Sequence, residues 1–535
     1  MTDVAQAQGH SGISHVPMPA QTFLGIALIF LLWELAARAL TEAFILAAPS
    51  DVVVYLWQNT GLMSRALGVT LTNAAVGFAA GNLAAVILAC TALVWSRSER
   101  VISGLALLVF CLPLVATGPI LRVLYGPGPG PQITLAALAV YYTTLVPLLV
   151  GLRAAPASWF ELVRSYGRGK ISELLHVRAM ASLPYLFAGL QIAAPAAFLG
   201  AMVGEFTGAE RGMGVLTIRA MRALDVEAIW ALASVAAAVS IIAYAAIGWL
   251  GRAVLLEKPP VILAPPREPS ATGAGRHLWA AGLHAAIVFA LAITLWWGVM
   301  EVFGLSVFFA KRPGDVFGAL FIAPGAAAMR GTLASALRET AVFVLPGYLA
   351  GLALGAGLAV LVVLLPSLAS VAMPAAVALR SVPIVTTAPL VVLLLGRGAT
   401  GTIALVAVMV FFPTFVACLY GLRQAPGQIL DVFDSYAAGR ISRLVHVRIP
   451  AMLPAFFAAA RMSVPAAVLA VTVVEWLATG RGIGSLMALS ASLSDYDMLW
   501  SSVVIVAVLS VLGYGAVGAV ERRILSVYAA EQVTR

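Results

Sequence analysis

Residues 151–178 read GLRAAPASWFELVRSYGRGKISELLHVR, and residues 421–448 read GLRQAPGQILDVFDSYAAGRISRLVHVR. The two stretches share length and register, 270 residues apart. Gly151-Leu152-Arg153 returns as Gly421-Leu422-Arg423, Ser165-Tyr166 as Ser435-Tyr436, and His176-Val177-Arg178 as His446-Val447-Arg448. Further on, Pro184, Pro195, Glu205, Arg211, Gly212, Gly214 and Trp230 return as Pro454, Pro465, Glu475, Arg481, Gly482, Gly484 and Trp500. Of the 80 positions in 151–230, 31 are identical in 421–500 without a gap. Apolar composition alone can align Leu with Leu, but it does not put Glu, His, Pro, Arg and Trp in register. The chain is an internal duplication. Upstream, the same offset matches Thr70, Pro113 and Pro119 to Thr340, Pro383 and Pro389; near the start it becomes 264, pairing Trp33 and Pro49 with Trp297 and Pro313.

What is duplicated follows from composition. The chain is 62% hydrophobic and 10% charged, with mean hydropathy +1.00, whereas soluble domains carry about 25% charged residues. Its apolar residues fall into runs of roughly 20 or more, enough to cross a hydrocarbon core of about 30 Å as helices. Barrel strands are shorter and alternate, so the class is all-α integral membrane. The expected spans are 21–41, 69–95, 101–125, 132–152, 184–207 and 229–251, then 278–304, 339–365, 369–396, 400–422, 454–478 and 499–520. That makes about twelve transmembrane helices in two six-helix repeats. Six is even, so both units enter the membrane in the same sense and the repeat is parallel. The expected organisation is a 1–20 tail, a first unit 21–251, a linker 252–277 with Pro pairs and a Ser/Gly tail, and a second unit 278–535. The tail has no Lys, Arg or cleavage-site pattern, so the first apolar run reads as a retained span.

The net charge of +9 would suggest nucleic acid in a soluble protein; in a membrane protein it reflects Lys and Arg on cytoplasmic loops. The stretch 153–182 carries Arg153, Arg164, Arg168, Lys170 and Arg178 against Glu161 and Glu173, and its copy carries Arg423, Arg440, Arg443 and Arg448 against Asp431 and Asp434. Both loops, and hence both termini, are expected in the cytoplasm; Arg211, Arg219 and Arg222 lie on the other side against this bias. Cys90, Cys111 and Cys418 fall inside spans and suggest neither a disulfide nor a metal site.

Each loop also has apolar residues near one helical face, Ile171, Leu174, Leu175 and Val177 in one and Ile441, Leu444, Val445 and Val447 in the other. Such a face lies against its own bundle or the lipid interface, or enters the groove of a partner protein. In the third span, Pro113 and Pro119 bracket Thr117 as Pro383 and Pro389 bracket Thr387. Two prolines six residues apart break helical bonding, which either makes a packed kink or lines a pathway with free carbonyls and threonines. Glu205 and Glu475 each lie 21 residues after the proline that opens their span, about 31 Å along a helix. They are expected near the outer interface, as interfacial or Arg-paired carboxylates or as a gate or contact for an external protein. Arg122 and Arg380 are unmatched charges in or near spans.

The segments ELVRSYGRGKISELLHVRAMASLP and DVFDSYAAGRISRLVHVRIPAMLP resemble the "EAA" loop of ABC-importer permeases. EFTGAERGMGVL and EWLATGRGIGSL, each followed by Trp230 or Trp500, resemble the nitrate/sulfonate/taurine branch of those permeases, which also carries pyrimidine precursors. The resemblance implies a type I importer pseudo-dimer in one fused chain, one copy per transporter, in the bacterial inner membrane. It implies two cytoplasmic ATPase subunits holding ATP and Mg, an external solute-binding protein, and a small anion or polar organic solute as substrate.

In the coupling loops the resemblance points to Ser165, Tyr166, Gly167, Gly169, Ile171, Leu174, His176, Arg178 and Pro184, and to Ser435, Tyr436, Gly439, Ile441, Leu444, His446, Arg448 and Pro454. Arg461 matches an arginine frequent early in the family's following span; the first copy has Gln191. Gly167 becomes Ala437, and because alanine does not reach positive φ cheaply, the second loop is expected to be a more continuous helix. The chain itself has no phosphate-binding loop: near Gly169-Lys170, Arg164 replaces the first glycine and Ile171 the Ser/Thr. A secondary transporter with parallel repeats leaves the two matched loops unexplained, and a membrane enzyme finds no nucleophile motif or metal-ligand spacing.

Overall fold

A computed structural model describes residues 20–39, 46–95, 98–126, 128–255, 274–368, 388, 391, 395–396 and 398–528. The first unit comprises α1 (Ala20–Ala39), α2 (Pro49–Gln58), α3 (Thr60–Val94), α4 (Glu99–Phe110), α5 (Leu114–Tyr125), α6 (Gly130–Gly151), α7 (Ala157–Ser165), α8 (Glu173–Glu205), α9 (Met213–Ala223) and α10 (Val226–Val254). The second comprises α11 (Ala274–Val302), α12 (Pro313–Ile322), α13 (Ala326–Leu364), α14 (Ala399–Arg423), α15 (Gly427–Ser435), α16 (Arg440–Leu477), α17 (Gly482–Ser492) and α18 (Tyr496–Tyr528). Among the described residues there is no strand. Nine of these helices are long and apolar enough to cross a membrane, and α4 with α5, bent at the break between them, pass the same test only when taken together. The first expected span falls on α1; most of 369–396, with Arg380, lies outside the described residues. Helix reaches Val254 and resumes at Ala274, so it enters the expected linker from both ends.

Leucines and phenylalanines such as Leu283, Phe289, Leu345 and Leu349 lie more than half exposed on these helices. In water they would form a large apolar surface; in a bilayer they face lipid. Lipid then supplies no hydrophobic drive between helices, so close backbone approach must hold them together. A Cβ on Gly81 would meet the Ala137 carbonyl oxygen at 2.6 Å, and one on its copy Gly351 would meet the Ala407 oxygen at 2.6 Å. Gly347 and Gly355 continue that stripe down α13 against α14.

Two expectations are corrected here. The third span is not one crossing broken at both prolines: α4 and α5 meet at 92° around Cys111–Pro113. Pro113 caps α5 with extended geometry, while Pro119 is carried inside the helix. The residue before a proline is pushed out of helical geometry, and Pro113 alone suffices for the break. Helix α5 then packs on α16, α17 and α18 of the second unit. The offset near the start is also not 264 throughout. Trp33 Nε1 donates to the Ala47 carbonyl at 3.1 Å and its ring lies 5.2 Å from Trp230. The equivalent bond, at 3.1 Å to Lys311, and the equivalent stack, at 5.3 Å on Trp500, are made by Trp296. Trp297 faces outward.

Candidate functional site

Each loop is a short helix, a tight turn and the first turns of the next long helix. Helix α7 ends where the Gly167 N–H donates to the Arg164 carbonyl and the Arg168 N–H reaches back to Val163. Helix α15 ends the same way, with Ala437 donating to Asp434 and Ala438 to Phe433. Both pairs form the closing motif in which a left-handed residue follows the helix and satisfies its last carbonyls. Gly167 has φ +67° and Ala437 φ +52°. The expected continuous second helix is therefore wrong: Ala437 adopts the glycine conformation, because the motif's hydrogen bonds and the flanking helices fix the turn.

Beyond the turn the chain winds as a wider π-type helix over Glu173–Arg178 and Leu444–Arg448 before settling into α-helix. This sorts the apolar residues differently from a single face. Val177, Leu444 and Val447 are buried against their own bundle, with Leu174 half-buried, whereas Ile171, Leu175, Ile441 and Val445 point outward. Helices α7 and α15 add Trp159 and Leu162, and Ile429 and Val432. Between the two helices stand Tyr166, 76% exposed, and Tyr436, 83% exposed. Each loop thus offers five large apolar side chains in matching positions. Ser165, Gly169, His176, Ser435, Gly439 and His446 lie exposed around them. His176 and His446 approach the carbonyls of Ser172 and Ser442 at 3.2 and 3.0 Å. Arg178 turns inward, donating to the Leu152 carbonyl at 3.0 Å with its guanidinium over the Phe160 ring. Pro184 and Pro454 sit inside the long helices. An ion pair joins the two arms of each loop: Arg164 to Glu173 at 2.7 Å, and Arg443 to Asp434. The bonded Glu173 carboxylate holds the Arg164 guanidinium above its ordinary value.

At the other end of α8, Glu205 is 1% exposed. It accepts from the Thr70 hydroxyl at 2.6 Å and from the Gly214 N–H at 2.7 Å, while Thr70 accepts from the Met213 N–H at 2.9 Å. Glu475, Thr340, Gly484 and Ile483 repeat this clamp at 2.8, 2.9 and 2.9 Å. A Cβ on Gly212 or Gly482 would overlap the carboxylate, and both glycines have positive φ. These glutamates are therefore neither Arg-paired nor presented at a surface; they tie α8 and α16 to the start of the short helices α9 and α17. Their sequence distance from the opening proline locates the end of the helix but not the side chain's surroundings. Thr117 is buried, its hydroxyl returned to the Leu114 carbonyl at 2.9 Å; Pro383, Thr387 and Pro389 lie outside the described residues. Arg461 pairs with Glu521 of α18 at 3.0 Å, its guanidinium over the Tyr514 ring.

Three kinds of contact escape a reading by motif: those of Thr70 and Thr340, that of Glu521, and the cross-arm ion pairs. For Glu521 a signal exists in the repeat, since the first copy replaces Arg461 and Glu521 together, by Gln191 and Gly251. Among the described residues no group of three or more His, Cys, Asp or Glu could hold a metal ion.

The family described as binding-protein-dependent transport system inner membrane component matches twice, over residues 81–255 and 347–526. A probable ABC transporter permease of Haemophilus influenzae is 27% identical over 226 residues, 42% of this chain and 92% of the relative. The formylaminopyrimidine transport permease of Halalkalibacterium halodurans is 25% identical over 41% of this chain and 88% of its own. The taurine transport permease of Escherichia coli is 23% identical over 44% and 86%. Each of these matches spans less than half of this chain and most of the relative.

Proposed function

Because this chain belongs to the binding-protein-dependent transport system inner membrane component family, and is a multi-pass transport permease of the inner membrane, we propose that it forms both halves of the translocation pathway of an ATP-driven importer. The loops Ala157–Arg178 and Gly427–Arg448 dock two cytoplasmic ATPase subunits, which hold the ATP and Mg. A solute-binding protein delivers substrate on the other side, and ATP turnover rocks the halves between inward- and outward-open states. The observation that carries this reading is the matched pair of outward apolar strips, centred on Tyr166 and Tyr436, on short helices that no other part of the described chain covers. Five exposed apolar side chains on a cytoplasmic arm suit a helix-in-groove partner.

The substrate class is a small anion or small polar organic solute. That reading rests on relatives named for formylaminopyrimidine and taurine transport. One fused chain with two loops serves one transporter, and both termini are cytoplasmic.

The test is to purify the chain with and without its ATPase subunits. Alone it hydrolyses no ATP; together they form a complex of one chain and two ATPases that falls apart when Tyr166 and Tyr436 are both changed to Asp. A robust ATPase rate in the isolated chain, or a complex indifferent to the double change, would refute the reading. Labelling of Lys170→Cys or Arg440→Cys from outside intact cells would refute the orientation. A secondary transporter predicts uptake independent of any ATPase.

A further inference from the structure

Between the two coupling loops the sign of charge reverses at two positions, which change as a pair. Position 164 is Arg where its copy 434 is Asp, and position 173 is Glu where its copy 443 is Arg. The structure shows what these four residues do. Arg164 Nε donates to Glu173 Oε1 at 2.7 Å, and Arg443 Nη1 donates to Asp434 Oδ1. Both bonds run from the last turn of the short helix to the first turns of the long one, across the left-handed residue. One bridge is the other with its polarity reversed.

Resting on the docking role assigned above, we propose that these ion pairs are braces that set the angle between the two arms of each coupling loop, and that the ATPase groove reads the apolar strip rather than the charges of the brace. The arms meet at a single turn residue, so their relative direction depends on whatever joins them beyond it. The tight turn fixes one end, and the ion pair crosses the open side. Its polarity is free because attraction is symmetric under exchange of partners.

The strip is not free in this way. Tyr166 and Ile171 recur unchanged as Tyr436 and Ile441, and Trp159, Leu162 and Leu175 recur as the aliphatic Ile429, Val432 and Val445. A groove that required a cation at 164 would meet an anion at 434. Grooves of one chemistry suit both loops only if that charge is turned to its own partner. Arg164, Glu173, Asp434 and Arg443 are thus positioning residues for coupling.

The chain contains its own double reversal, which supplies the experiment. In the assembled complex, Glu173→Arg sets two arginines against each other across the first loop. The ratio of substrate-stimulated to basal ATPase rate is expected to fall roughly three- to tenfold, with uptake, in the range of a broken side-chain coupling. Adding Arg164→Asp copies the second loop and returns the ratio to within about twofold of the starting chain. Copurification of the ATPase and the thermal unfolding of the chain alone are followed in parallel, so that a folding defect is seen as such; the rescue by the double variant is what a general loss of stability would not produce. If Glu173→Arg leaves the ratio unchanged, there is no brace. If the double variant stays as impaired as the single one, the groove reads the charge at position 164. Either result overturns the proposal. Failure of the docking reading itself has a different mark, retention of the ATPase by the Tyr166→Asp, Tyr436→Asp chain.

Discussion

Ala437 holds a backbone conformation that its side chain opposes. An L-residue in the left-handed region costs roughly 1–2 kcal/mol, and glycine does not bear that cost. A Cβ on Gly167 meets no atom within 4 Å, so the penalty at this turn is one of backbone conformation and not of collision. Ala437→Gly should therefore stabilise the second loop by about 1 kcal/mol, and Gly167→Ala should destabilise the first by a similar amount. Limited proteolysis of the two loops in the purified chain checks this: cleavage slows in the first variant and quickens in the second. Faster cleavage in Ala437→Gly would mean that the turn is not strained. The Glu205 clamp makes the opposite kind of demand. Glu205→Ala leaves the Gly214 N–H buried with no acceptor, at a cost of roughly 1–3 kcal/mol, and leaves the Thr70 hydroxyl only the Ala66 carbonyl at 3.2 Å. A lowered unfolding temperature in detergent is the expected result, and an unchanged one would mean that the ends of α8 and α9 are held by other contacts.

Helix against helix, what matters is how near two backbones come. In α13, Gly351 lies against α14 with no room for a Cβ, while Gly357, six residues on, faces open space. Gly351→Leu should overpack the contact, where added methylenes cost typically 1–3 kcal/mol or more, and should lower the yield of folded chain. Gly357→Leu, pointing toward lipid, should be tolerated. Monodispersity and thermal unfolding of the two variants, side by side, decide it. Equal behaviour would mean that the glycine stripe does not set the distance between α13 and α14. The break between α4 and α5 belongs to the same scale. A proline at the corner lets the two pieces turn through 92°, so that α5 packs on the second unit as well as on α6 and α8 of its own.

Across the whole molecule the two copies are near-equivalent in loops and clamps but not inside the bundle. The second unit buries an Arg461–Glu521 pair; the first has Gln191 beside Gly248, and Gly251 where the acid would be. Removing one partner of a buried pair leaves an uncompensated charge, at a cost of about 3–5 kcal/mol, whereas replacing both is often close to neutral. Glu521→Gln should then destabilise the chain more than Arg461→Gln combined with Glu521→Gly, which copies the first unit. Unfolding temperatures in that order support two independently tolerable solutions to one packing site. The reverse order would mean that the charge pair is needed as such.

The sequence by itself determined the class, the duplication and most of the spans. These follow from apolar run length and from an exact repeat of polar residues, quantities that survive without coordinates. It also marked Glu205, Glu475 and Arg461 as matched or singular, but not what they bind, since Thr70 lies 135 residues from Glu205 and Glu521 lies a helix away from Arg461. Only the tertiary structure decided that the glutamates are sealed clamps, that Trp296 rather than Trp297 repeats Trp33, and that Pro113 alone breaks the third crossing. It alone decided that Ala437 turns left-handed, because turn hydrogen bonds and packing on either side outweigh the preference of one residue. Local preference costs about a kilocalorie, and the contacts that overrule it come from elements far apart in the chain.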